Sequence, residues 1–66
     1  MTFSPERLTY YRELNGYGIA ELAARASISK SYLSELEAGK KHPTDKIVKL
    51  LAIALRMPTT KLEREQ

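Results

Sequence analysis

The sequence predicts an all-α fold, a compact domain built from five short helices. Three observations carry that prediction. No segment shows the apolar–polar alternation of a half-buried strand. Leu, Ala, Glu, Lys and Arg dominate while the β-branched residues are scattered, a composition that favours helix. Cap residues and breakers recur at short intervals, at Ser4-Pro5, Gly16, Ser29, Gly39, Thr44 and Met57-Pro58. With 66 residues the chain reads as one domain, 1–66.

The first helix is expected to begin at Ser4-Pro5. Serine caps, and proline is tolerated at the first helical position because its missing N–H would be unpaired anyway. Leu8, Tyr11 and Leu14 repeat at helical spacing up to Gly16. The second helix is expected from Gly18 to Ala26, with Ile19, Leu22, Ala23 and Ala26 on one face. The third follows Ser29, turns Leu33 and Leu36 inward and stops at Gly39, after which Lys40, Lys41, His42 and Pro43 form a loop. Thr44 caps the fourth, whose expected core residues are Ile47, Leu50, Leu51, Ala54 and Leu55. Beyond Met57-Pro58 a last turn or two is expected from Thr59 to Leu62.

Composition removes several functions. Without cysteine there are no disulfides, thiolate metal sites or cysteine nucleophiles. With a single histidine a metal site would have to be mostly carboxylate, and no metal or cofactor is expected. No apolar run approaches the ~20 residues a membrane span needs. The start, MTFSPERL, lacks the basic and apolar blocks of a signal peptide, so a cytoplasmic location is expected. Catalysis is not expected either. There is no Gly-rich phosphate loop, and Glu35 and Glu37, two apart on a helix, do not face each other. The formal charge of +3 is a mild cationic bias that permits nucleic acid without requiring it.

The joint between the second and third helices is the most informative stretch. Arg25-Ala26-Ser27-Ile28-Ser29 leaves only three or four residues between them, as a helix-turn-helix requires. Ala23 is small where two steeply crossing helices touch, and Ile28 plugs the corner.

The stretch GYGIAELAARASISKSYLSELEAGKKHP resembles the Cro/cI-type, or xenobiotic-response-element, helix-turn-helix family. Arg12, Gly16, Glu21-Leu22-Ala23, Ile28-Ser29, Leu33-Ser34, Glu37, Gly39 and Pro43 carry the resemblance, which spans nearly the whole chain. Lys30-Ser31-Tyr32-Leu33-Ser34 looks especially like the DNA-binding domain of SinR-type repressors. The implied architecture is lambda-repressor-like. Ile19 stands where the family usually has glutamine, Gly18 replaces its serine or threonine cap, and Ser27 replaces a frequent glycine. The phosphate clamp at helix two is therefore expected to rely on backbone N–H groups.

In a helix-turn-helix the second helix of the unit enters the major groove and its N-terminal residues meet base edges. That assigns Lys30, Ser31, Tyr32, Ser34 and Glu35 to base reading. Lysine donates to guanine and glutamate accepts from cytosine N4. Tyr32 offers its ring to a thymine methyl or its hydroxyl to a phosphate. Glu35 is repelled by phosphates unless a cytosine or a cation compensates it. The resemblance implies phosphate contacts from Gly18, Ser29, Lys40, Lys41 and His42, which give affinity without sequence information. It also implies an ion pair between Arg12 and Glu37 that sets the angle of the reading helix, with the outer edge of the guanidinium left for a phosphate. Tyr10, Tyr11 and Tyr17 are expected in the core or at its edge.

The expected function is sequence-specific binding of double-stranded DNA and regulation of transcription, as a repressor acting as a homodimer. The alternatives are an excisionase-like DNA-binding factor of a phage or mobile element, a restriction–modification controller, and an antitoxin-type protein-interaction module. With no sensing domain in these residues, regulation is expected through abundance or a regulatory protein partner. The dimer seam is expected at Ile53, Met57 and Leu62. Val48 and Ile53 are surplus once the expected core of helix four is filled.

Overall fold

In the computed structural model, which describes residues 2–64, each helix starts where a cap residue stands. The buried Ser4 hydroxyl accepts from the Arg7 N–H at 3.2 Å and donates to Glu6, opening helix α1 (Pro5–Leu14). Helix α2 (Ile19–Ala26) starts at Gly18, which has no side chain to cap it. Ser29 accepts from the Tyr32 N–H at 3.0 Å at the head of helix α3 (Lys30–Glu37). Thr44 accepts from the Ile47 N–H at 3.3 Å at the head of helix α4 (Asp45–Leu55). Each such cap satisfies a donor that the helix leaves without an internal partner.

The fifth expected helix is a single 3₁₀ turn, Thr59–Leu62, so the described residues hold four α-helices. A strand pair was not expected. Strand β1 (Thr2–Phe3) pairs antiparallel with strand β2 (Glu63–Arg64), Thr2 opposite Arg64 and Phe3 opposite Glu63. Two residues per strand are too few for alternation to register. The pairing continues into the Ser4 N–H, which donates to the Leu62 carbonyl at 2.8 Å, and Arg7 donates to the Glu63 carbonyl.

Leu8, Leu22, Leu33, Leu36, Leu51 and Leu62 are fully buried, one or two from each helix and one from the 3₁₀ turn. Each such burial is worth about 1.5–3 kcal/mol. Ala23, Ala26, Val48, Ala52 and Leu55 complete the core. The two buried alanines of α2, Ala23 and Ala26, are small where α2 meets its neighbours α3 and α4. On α4 the buried set is Val48, Leu51, Ala52 and Leu55, whereas Ile47, Leu50 and Ala54 are half-buried. Val48 is therefore core and not surplus. Eight apolar residues on eleven positions do not single out one face, and α4 is contacted by both α2 and the 3₁₀ turn. Leu14 and Tyr10 are exposed, not inward; Tyr10 meets Tyr11 edge-on at 5.0 Å.

Two non-glycine residues adopt left-handed backbone, both at helix ends. Ser27 (φ 60°) closes α2 and Arg56 (φ 58°) closes α4. After Ser27 the Ile28 N–H donates to the Ala23 carbonyl at 2.9 Å, which turns the chain sharply into α3.

Candidate nucleic-acid interface

Helix α3 is fastened from below and open above. Leu33 and Leu36 hold it to the core, while Lys30, Ser31 and Ser34 are exposed and Tyr32 and Glu35 are half-buried. A major groove ~12 Å wide admits an α-helix, whose diameter with side chains is about 10–12 Å. The Ser29 hydroxyl oxygen is occupied by the cap bond to Tyr32, and its proton remains free to be donated outward.

Glu37 ties the end of α3 to α1. Arg12 Nε donates to Glu37 Oε2 at 2.6 Å and Arg12 Nη2 to Glu37 Oε1 at 3.0 Å. Thr9 donates its hydroxyl to the same Oε1 at 3.0 Å. Arg12 Nη1 donates to the Tyr17 carbonyl at 2.8 Å, so one guanidinium joins α1, the α1–α2 turn and α3. The two side chains are 12% and 9% exposed. The Glu37 hydrogen bond raises the Arg12 pKa further above its ordinary value. All three guanidinium nitrogens are thus engaged within the fold. These bonds use three of the guanidinium's five N–H donors, which leaves one on each terminal nitrogen beyond the frame.

The loop after α3 exposes Lys40, Lys41 and His42. Lys41 bends back onto α3. Its Nζ lies 3.4 Å from Glu35 Oε1 and 5.9 Å from the centre of the Tyr32 ring. The cluster brings together two expected base readers and one expected phosphate contact. Sequence reasoning named all three residues without foreseeing that they meet, because a six-residue separation across a glycine turn has no periodic signature. Lys40 makes no ion pair among the described residues.

At the other side of the helix-turn-helix, the first N–H groups of α2 have no side-chain cap at Gly18. Arg25 at the end of α2 stacks on Tyr17, 4.6 Å from the ring centre, and pairs with Glu21 at 3.2 Å. The Glu21–Arg25 spacing of four was a readable signal; the stacking was not. Among the expected seam residues, Ile53 is 72% exposed on α4 and Met57 is half-buried. Leu62 is fully buried within its own chain, so it completes the core and offers no surface to a partner.

Among the described residues no three His, Cys, Asp or Glu side chains gather as metal ligands. Among the same residues no helix is long and apolar enough to cross a membrane.

A helix-turn-helix family profile matches residues 8–62. Over 53 residues the chain is 38% identical to the HTH-type transcriptional regulator SlrR of Bacillus subtilis (strain 168), covering 79% of this chain and 35% of SlrR. The chain thus spans about a third of that relative's length. Among solved structures it is similar to the restriction-modification controller protein C.AhdI from Aeromonas hydrophila, with a TM-score of 0.88 and 25% identity over 89% of both chains. It is also similar to SinR, the master regulator for biofilm formation, in complex with DNA, with a TM-score of 0.86 and 30% identity over 91% of this chain and 100% of that one.

Proposed function

The chain belongs to the helix-turn-helix family, and from that premise we propose that it binds duplex DNA sequence-specifically and regulates transcription, as a homodimer that represses by occupying an operator. The observation that carries this reading is the mounting of α3. Its outer side presents Lys30, Ser31 and Ser34, while the Arg12–Glu37 pair and two buried leucines hold the helix at one angle. A rigid mount of this kind lets base contacts discriminate, because a mispaired donor cannot be relieved by tilting the helix. The SinR–DNA complex supports the same reading by likeness.

In this proposal Lys30 and Ser31 meet base edges with Tyr32, Ser34 and Glu35 behind them. Gly18, Ser29, Lys40, Lys41 and His42 meet phosphates. The longest dimension of the fold is 29 Å, shorter than the ~34 Å between major-groove faces one DNA turn apart. With one reading helix per chain, reading two half-sites takes two copies in this proposal. Ile53, with Leu50 and Ala54 near it on α4 and Met57 just past the helix end, is the seam proposed for a second copy. A regulatory protein partner is part of the same proposal.

Selection of bound sites from random duplexes by the purified chain, followed by footprinting, tests the reading. The expected result is one preferred sequence with two-fold symmetry, protected over two half-sites. Binding with no preference above random duplex overturns it.

A further inference from the structure

Lys41 faces two kinds of anion, and only one of them belongs to DNA. Its ammonium lies 3.4 Å from Glu35 on α3 and over the Tyr32 ring, in a pair that is open to solvent, with the two side chains 55% and 40% exposed. Any duplex supplies phosphates that would take this lysine, and each phosphate so neutralised adds affinity irrespective of sequence. To reach one, Lys41 must leave Glu35. That strands a carboxylate facing the phosphates, which opposes binding. A cytosine N4 amino group in the groove is the donor that relieves it, since glutamate accepts from that group. Lys40, next in sequence, carries no such restraint.

We propose that Glu35 is a specificity-determining residue that withholds Lys41 from the DNA backbone until a base-edge donor takes the lysine's place. The inference rests on the DNA-binding reading above. It couples the reading of one base to the grip on one phosphate. On random sequence the pair stays closed and the protein forfeits one backbone contact. On a site with cytosine beneath Glu35 the pair opens and both contacts form.

The experiment measures binding to the selected site and to random duplex over a series of salt concentrations, for the wild-type chain, E35Q, K41A and the double variant. On random duplex, E35Q is expected to bind more tightly and to steepen the dependence of log K on log salt by about 0.9, one phosphate's worth. The ratio of specific to random affinity falls accordingly. In the K41A background, where Glu35 already faces the phosphates unpaired, E35Q is expected to give only the smaller gain of relieved repulsion, without the added ~0.9 in slope. An E35Q slope equal to wild type overturns the proposal. So does an E35Q gain of the same size with and without Lys41, which would be general relief of charge repulsion. A wild-type chain with no duplex affinity overturns the DNA-binding reading along with it, whereas specific wild-type binding with an inert E35Q overturns this inference alone.

Discussion

Arg12 and Glu37 grip each other through two parallel hydrogen bonds, Nε to Oε2 at 2.6 Å and Nη2 to Oε1 at 3.0 Å, across 25 residues of chain. The remaining terminal nitrogen of Arg12 is spent on the Tyr17 carbonyl, and Thr9 braces the carboxylate. Removing either partner strands the other's charge at a largely dry site. Arg12→Ala and Glu37→Ala are each expected to cost roughly 2–4 kcal/mol in denaturant unfolding. The double variant is expected to show a coupling of about 1–3 kcal/mol. Additive losses would mean that the pair does not set the angle of α3.

Lys30 and Ser31 stand in the exposed first turn of α3. Lys30→Ala and Ser31→Ala are each expected to lose about 1–3 kcal/mol on the preferred site and to relax preference at particular positions. A loss of equal size on every duplex would reassign the residue to the phosphates.

Lys40 is the unrestrained cation of the loop. Lys40→Ala is expected to weaken binding on all sequences alike and to lower the salt slope by about 1. A slope equal to wild type would remove Lys40 from the interface.

Ile53 tests the seam. At 72% exposure it contributes little to its own core, so Ile53→Glu is expected to change unfolding by no more than about 0.5 kcal/mol. Sedimentation at several concentrations is expected to show dimerisation weakened by about tenfold or more, a loss of 1.4 kcal/mol. The same dissociation constant in both proteins, or a 1:1 complex on the symmetric site at saturation, would reject the dimer proposed here.

Ser27 occupies left-handed backbone at the corner of the helix-turn-helix. A non-glycine residue there costs about 1–2 kcal/mol, and glycine returns roughly 0.5–1 of that through its freer unfolded chain. Ser27→Gly is expected to stabilise by about 0.5–1 kcal/mol, raising Tm by about 2–8 °C. A lower Tm would show that the serine side chain supports the turn.

Caps and breakers were legible because they act within one turn of chain. Ser4, Ser29 and Thr44 each accept the backbone N–H three residues on, a requirement that residue type alone reveals. The Arg12–Glu37 pair was legible only through family resemblance, since nothing local links positions 25 residues apart. The rotation of α4 was misread at Val48 because its apolar residues exceed one face and the excess hides the buried stripe. Leu62 belongs to the core and not to the expected seam because the 3₁₀ turn folds back under the bundle, a long-range event with no periodic trace. The Lys41–Glu35–Tyr32 cluster was invisible for the same reason.

The small β1–β2 ladder has a geometric consequence. Thr2 and Arg64 are direct partners across it, so their Cα atoms lie about 4.5–5.5 Å apart. The described chain is therefore almost a closed loop, clasped at its own ends by backbone hydrogen bonds. A peptide of a few residues would join those ends without displacing a helix. A new opening cut elsewhere, in the exposed loop between Gly39 and Pro43, would leave the four helices in place but present them in a different order.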